Sequence, residues 1–560
     1  MSSSVDVPIG TLSDLMLAAG VLDAPAWFGQ IKLPNWPFAH QMESIKAYAR
    51  HTRYGDFSEP GTGKTFPAQV HAVLMAALGD NKVVFTMPPK LIRQFHQEFL
   101  DFFQGIDDHL YLDHLDGTGM QNAKKIKRWE AEGWPDILML SYDRFRQYNA
   151  RKKKRKVAWT QWYQADLVTP YFKTKDGRRV KEIQDPGTKP YTKDGYPVDA
   201  KGKADNPDQL RLKREGYNVY FFDEAHRLCN PDSQAFKACQ NMDHDLGDDV
   251  AIYLMTGTPV PTHLHNVYGI IRLINPGVYR NKNQFMRMHV LVDRSVRYLK
   301  VLGYKAEDDV HEALYKNARR VQKRDVTALP DPIVSSIPVK LSGPHKKLYD
   351  QIIRDRFALL GDEVLAPDND SALRQLALQI ISSPDTFDPT GQLSMENELT
   401  DACDTIIESI DPRNHKIILF AHYKRTVKFL ADRYAEWNPA VMNGATSAGW
   451  KEVERFKNDP TCRIFIVNWE SGGEGLNLQI AHHIIFYECP TSPRHAKQAI
   501  ARADRTGQAN VVNAYFFRVL ATLYDRNFRN LLKNEEQNNK VVKDRHDLLH
   551  EHLRVGRKAA

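Results

Sequence analysis

Short uninterrupted apolar runs alternate along this chain with longer stretches whose apolar residues recur every three or four positions. Lys82–Met87, Asp136–Ser141, Val219–Phe222 and Val250–Leu254 are such runs, each ending at polar or turn-forming residues. That pattern marks strands buried on both faces. The intervening spacing predicts a helix over Val70–Leu78 and another after Pro88-Pro89, with Leu91, Phe95, Phe99 and Phe102-Phe103 on one side. A second series follows: Ile417–Phe420, Arg463–Val467, His483–Tyr487 and Ala514–Phe517, with a helix over Lys424–Trp437. Leu12–Leu22 reads as one amphipathic piece, Pro261–Leu329 and His345–Ile410 as helical, and 330–345 as an extended, Pro-containing link. Polar loops near Ala366–Asp370 and Pro384–Gly391 interrupt the second helical region. The expected fold class is α/β, with parallel sheets covered by helices and ligands at the carboxyl ends of strands.

The polar residues at those strand ends carry the chemistry. Phe57-Ser58-Glu59-Pro60-Gly61-Thr62-Gly63-Lys64-Thr65 is a Gly-rich turn leading into the helix over Val70–Leu78. In such a turn backbone N–H groups close on phosphate oxygens, the lysine reaches the β/γ-phosphates, and the threonine hydroxyl ligates Mg²⁺. The strict pattern has glycine where this chain has Ser58, so an ordinary Gly-rich turn is the alternative for the stretch alone. Asp223-Glu224-Ala225-His226 follows the run Val219–Phe222. There Asp223 is placed to hold Mg²⁺ through water and Glu224 to deprotonate the water attacking a γ-phosphate. Gln41, upstream of the turn, has an amide able to pair with the edge of adenine. Arg502 and Arg505 share one helix face and are suited to neutralise charge on a transferring phosphoryl group; a plain surface helix is the alternative.

Composition excludes several classes. Apolar residues make up 42% and charged residues 26% of 560, as in a soluble globular protein of several domains. No apolar stretch is long enough to span a membrane and no secretory leader is visible, so a cytoplasmic protein is expected. Cys229, Cys239, Cys403, Cys462 and Cys489 are scattered, without a disulfide framework, and no metal-ligand or nuclease cluster is visible in the sequence. The charge is uneven. Residues 151–215 hold 18 Lys/Arg against 9 Asp/Glu, while the whole chain carries +8. This insert opens with Arg151, Lys152, Lys153, Lys154, Arg155 and Lys156 and continues with Trp159, Trp162, Tyr163, Tyr171 and Phe172. Two Thr-Lys-Asp-Gly repeats, at Thr174–Gly177 and Thr192–Gly195, predict hairpin turns. A basic, aromatic-rich hairpin suits a nucleic-acid backbone; a solvated insert is the alternative.

Taken in order, Gln41, Gly61–Thr65, Asp223–His226, Thr256-Gly257-Thr258-Pro259, Gly472–Leu478 and Gln498 through Arg502, Arg505 and Gly507-Gln508 resemble the motifs of superfamily-two helicases. Within them the chain is similar to the Swi/Snf-like double-stranded-DNA translocases, over roughly Pro37–Leu532. The resemblance implies two RecA-like lobes with ATP and Mg²⁺ between them. Gln41 would contact adenine, and Gly61, Thr62, Gly63, Lys64 and Thr65 the phosphates. Thr65 and Asp223 would hold Mg²⁺, and Glu224 would activate water. Arg502 and Arg505 would act from the rear lobe, where Gly475 and Gln498 also meet the nucleotide. His226, Thr256 and Thr258 would couple nucleotide state to DNA grip, and Asn477 would touch nucleic acid. The implied organisation is a lead-in (1–36), a front lobe (37–278) with the basic insert (151–215), and a helical protrusion and linker (279–344). A helical insertion (345–412), a rear lobe (413–532) and a basic helical tail (533–560) follow. Asp504 departs from the pattern, standing where many relatives carry a basic residue or histidine, and so does Thr491, where many carry tryptophan. The implied function is ATP-dependent translocation on duplex or branched DNA. A strand-separating DNA or RNA helicase and a non-catalytic nucleic-acid scaffold are the alternatives.

Overall fold

The computed structural model describes residues 10–542 except 80, 150–210 apart from four two-residue strands, 261–262, 294, 296–299, 327–329, 357, 361–362, 366–369, 385–392, 443–448, 469–475, 491 and 506–507. The chain forms two compact units. One comprises Met1–Pro37, Ile45–Tyr54 and Ala68–Tyr253; the other comprises Phe38–Ser44, Gly55–Pro67 and Leu254–Ala560.

The apolar runs are strands of two sheets. The first sheet contains β1 (Arg53–Asp56), β2 (Lys82–Met87), β3 (Leu112–Leu115), β4 (Ile137–Ser141), β5 (Tyr217–Asp223), β6 (Ala251–Met255) and β7 (Ala318–Arg319). Their order is β7-β1-β6-β5-β2-β4-β3. The second contains β8 (Ile333–Val339), β9 (Ile417–Phe420), β10 (Ala440–Met442), β11 (Ile464–Val467), β12 (His483–Phe486) and β13 (Asn513–Val519). Its order is β8-β13-β12-β9-β11-β10, and every recorded pair in it is parallel. Parallel strands need crossovers, and the helices supply them. Each sheet has an aromatic row across neighbouring strands. Phe85, Phe221 and Tyr253 stack at 4.6 Å between successive rings, and Phe420, Phe486 and Phe516 at 5.2 and 4.2 Å. In-register neighbours on one face of a sheet are the pairs that meet this way.

The helices used below are α1 (Ala39–Arg50), α2 (Thr65–Ala77), α3 (Ile92–Phe102), α4 (Glu398–Ile410), α5 (Lys424–Arg433), α6 (Pro493–Ala503) and α7 (Leu523–Val542). Phe95 and Phe99 of α3 are buried, as their spacing predicts. Three expectations need correction, the first being region 345–410, which is not helical throughout because Ala358–Leu360 pairs antiparallel with Glu363–Leu365. Region 261–329 is not helical throughout, because Val290–Asp293 pairs antiparallel with Lys300–Tyr304 and Ala318–Arg319 is a strand. The β-branched Val290, Val292 and Val301 and the aromatic Tyr304 there favour pairing over helix. The extended link at 330–345 contains β8, an edge strand that accommodates Pro338 opposite Arg518. In the basic insert, Arg155-Lys156 pairs with Lys203-Ala204 and Trp162-Tyr163 with Pro170-Tyr171. Both Asp-Gly turns, and Arg151–Lys154, lie outside the described residues. All five cysteines are buried free thiols, and no helix among the described residues is long and apolar enough to cross a membrane.

Candidate nucleotide-binding site

The Gly-rich turn sits between β1 and α2, with Thr65 as the first residue of α2. Gly61 and Gly63 have φ of 86° and 76°, a left-handed backbone that an L side chain adopts at a cost. Space is equally restrictive at Gly63, where a Cβ would collide with Nε2 of Gln41. That amide donates to the Gly63 carbonyl at 3.1 Å, while Gln41 Oε1 accepts from the Phe38 N–H at 3.0 Å. His40 Nε2 lies 2.8 Å from the Thr62 carbonyl oxygen. Lys64 Nζ donates to the Glu59 carbonyl at 3.0 Å and the Thr62 hydroxyl to the same oxygen at 2.8 Å. The turn is therefore shaped by its own lysine and by α1. An anion at this helix start meets the positive end of the helix dipole. The residues fit a nucleotide triphosphate.

A segment expected to be part of the linker grips this turn. Gly55, Phe57 and Glu59 donate backbone N–H groups to Asn317, Arg319 and Val321 at 2.8–2.9 Å. Ser58, which replaces the usual glycine, is buried, and its hydroxyl accepts from the Val321 N–H at 3.0 Å. The substitution thus has a structural role that glycine cannot fill. Arg320 donates to the carbonyls of Phe57 (2.6 Å) and Gly257 (3.3 Å) and pairs with Glu59 at 3.3 Å, tying the turn to the Thr256–Pro259 loop. Glu59, His40, Arg319, Arg320 and Lys323 are site residues that the motifs alone did not reveal. The basic cluster at 319–324 was the available signal.

Arg505 reaches the same turn. A Cβ on Gly61 would lie 3.5 Å from Arg505 Cγ and 3.6 Å from the Asp504 carbonyl oxygen, and Arg505 Nε donates to the Ala501 carbonyl at 3.2 Å. Arg502, on α6, is buried, and its carbonyl accepts from Leu478 at 3.0 Å. Asp504, the departure from the family pattern, forms an ion pair with Lys323, whose N–H donates to Glu59 at 2.8 Å. Burial holds the Asp504 carboxyl above its ordinary range, with Lys323 opposing that shift. Gln498 is buried, Asn477 is exposed, and Gly475 lies outside the described residues.

The Thr256–Pro259 loop follows β6. Thr256 is buried and accepts from the Thr258 N–H at 3.2 Å, whereas Thr258 Oγ1 is a buried hydroxyl without a hydrogen-bond partner. A cavity of about 30 Å³, enough for a water molecule, opens beside it. Arg320, Arg494, Lys497 and Glu535 line it, with Lys497 Nζ 2.9 Å from the buried Glu535 carboxylate. Helices α6 and α7 thereby meet the loop expected to couple nucleotide state to grip.

Asp223 and Glu224 end β5 in the other unit. Glu224 has φ 51° and ψ 46°, a conformation that is uncommon for a non-glycine residue and concentrates at functional sites. Its N–H donates to Asp223 Oδ1 at 2.9 Å, and its carboxylate lies 3.1 Å from His226 Nδ1. The Tyr142 hydroxyl donates to the Asp223 carbonyl at 2.8 Å. His226 is buried and orients the candidate base.

Comparison with known proteins accords with this geometry. Residues 45–383 match the SNF2-related domain and residues 399–507 the Helicase conserved C-terminal domain. The "Uncharacterized ATP-dependent helicase YqhH" of Bacillus subtilis is 25% identical over 367 residues, covering 60% of this chain and 61% of that one. The "Chromatin structure-remodeling complex subunit snf21" of Schizosaccharomyces pombe is 25% identical over 352 residues, 55% of this chain and 28% of that one. The chain thus spans less than two thirds of either relative. A solved structure, "Sulfolobus solfataricus SWI2/SNF2 ATPase core in complex with dsDNA", covers 91% of this chain and 97% of its own at 15% identity, with a TM-score of 0.36. Because the first of these domains alone matches more than half of its length, the chain belongs to the SNF2-related family.

Proposed function

We propose that this protein is an ATP-hydrolysing translocase that moves along duplex or branched DNA, in replication, repair, remodelling or protein displacement. The observation that carries the reading is Arg505 lying over Gly61 of the phosphate-binding turn. From there the Arg505 guanidinium would turn toward the phosphates and neutralise charge on the transferring phosphoryl group. Lys64 exchanges the Glu59 carbonyl for phosphate oxygens when nucleotide binds, and Gln41 is the adenine-side residue. Thr65 and Asp223 are the residues that would hold Mg²⁺, which supplies neutralising charge to the phosphates. Glu224 takes the proton of the attacking water, held in orientation by His226. Thr256 and Thr258 pass nucleotide state toward α6 and α7. The basic insert from Arg151 to Lys156, together with Asn477, meets the DNA backbone, and the protein works in the cytoplasm.

The direct test is the ATPase rate with duplex DNA, single-stranded DNA and RNA as activators. Strong stimulation by duplex or branched DNA is expected; stimulation by RNA alone would overturn the reading.

A further inference from the structure

The sequence shows no metal-ligand cluster, yet the fold assembles three histidines at the amino ends of rear-sheet strands. His415 lies in the turn between α4 and β9, and His482 and His483 stand at the start of β12. Asp411, with φ 58°, caps α4 in a left-handed conformation and returns the chain toward the sheet, while Ile417 and His483 are register partners in β9 and β12. The three imidazoles close a triangle: His482 and His483 centroids are 4.4 Å apart, His415 and His482 5.1 Å, and His415 and His483 5.4 Å. One nitrogen of each ring lies within 4.8 Å of the other two.

The geometry points to a divalent transition-metal site, suited to Zn²⁺, formed by His415, His482 and His483 at the amino ends of the rear-sheet strands. Nitrogens around tetrahedral zinc are about 3.4 Å apart for Zn–N near 2.0–2.1 Å. The three ring nitrogens, within 4.8 Å of one another, would have to close to that spacing on binding. Nδ1 of His483 is buried without a hydrogen-bond partner, so binding a metal through it would break no existing hydrogen bond. Imidazole ligands without thiolate or carboxylate favour zinc, nickel or copper over calcium or magnesium. Three protein ligands leave a position for water.

The strands are parallel, so this edge lies at the opposite end of β12 from Glu488, which follows the strand's carboxyl end. A metal here would fasten the α4–β9 turn to β12 without entering the nucleotide chemistry.

The test is Zn²⁺ titration of the untagged full chain by calorimetry, with the triple variant H415Q/H482Q/H483Q and the single turn variant H415Q in parallel. The wild type should bind one equivalent that the triple variant loses, and H415Q should bind at least about tenfold more weakly. Thermal unfolding should rise with Zn²⁺ for the wild type only. X-ray absorption of the zinc-loaded wild type should show three imidazole nitrogens near 2.0 Å; this readout needs no variant. Equal zinc affinity and stoichiometry in all three proteins, or fewer than three imidazole ligands in the absorption spectrum, would overturn the assignment.

Discussion

Replacing Lys323 by methionine keeps most of the stem and removes only the ammonium that faces Asp504. Both side chains are largely out of solvent, 9% and 14% exposed, so the pair is a desolvated one. Removing one partner of such a pair costs about 3–5 kcal/mol, because the other charge stays buried without compensation. Part of that cost is recovered if Asp504 takes up a proton. Its carboxyl already sits above the ordinary 3.8 through burial, and loss of Lys323 raises it further. A carboxyl with a raised folded pKa binds protons in the folded state that the unfolded chain has released. Its contribution to stability is therefore present below the unfolded value and is lost as pH rises through the folded one. Lys323→Met should accordingly be less destabilised at pH 5 than at pH 8. The double variant Lys323→Met/Asp504→Asn, with no charge left to strand, should recover most of the loss. Urea unfolding of the full chain across that pH range reads all of this as midpoint shifts. A single variant within about 1 kcal/mol of wild type, or a double variant whose loss is the sum of the singles, would mean that Lys323 and Asp504 are not a coupled, desolvated pair.

Three further outcomes are expected. Glu224→Gln should bind ATP as the wild type does and lose turnover by about 10²–10⁴-fold, measured by nucleotide binding and phosphate release; normal turnover would remove Glu224 as the base. Gly63→Ala forces a side chain into a left-handed backbone, at about 1–2 kcal/mol, and against the Gln41 amide, so ATP affinity should fall roughly tenfold. An unchanged ATP dissociation constant would show that the turn does not hold the phosphates. Neutral residues in place of Arg151–Lys156 should weaken duplex binding and flatten its dependence on salt, by about 0.9 in log–log slope for each DNA phosphate no longer neutralised. An unaltered slope would make the run a solvated surface.

The central strands were legible because burial on both faces leaves near-continuous apolar runs, as at β2, β4, β6, β9 and β11. The strands that escaped notice are short or polar: Arg53–Asp56, Leu112–Leu115 with its internal Asp-His, and the three residues Ala440–Met442. β8 reads as a link because Pro338 marks a break in a central strand, though not at an edge. The phosphate-binding turn and Asp223-Glu224 were legible as local spacings with a fixed chemistry. The departures were not interpretable locally. Ser58 and Asp504 are explained by Val321 and Lys323, partners 263 and 181 residues away in sequence. His415 and the His482-His483 pair likewise come together only when β9 and β12 pair, which no spacing rule anticipates.

In the proposed mechanism Arg505 acts on the nucleotide held by Gly61–Thr65. Duplex-stimulated ATP turnover of Arg505→Ala, measured beside its ATP affinity, separates catalysis from binding. Near-normal affinity is expected, with turnover lowered by about 10³–10⁵-fold, as for a guanidinium that stabilises phosphoryl-transfer charge. Turnover at the wild-type rate would contradict that role.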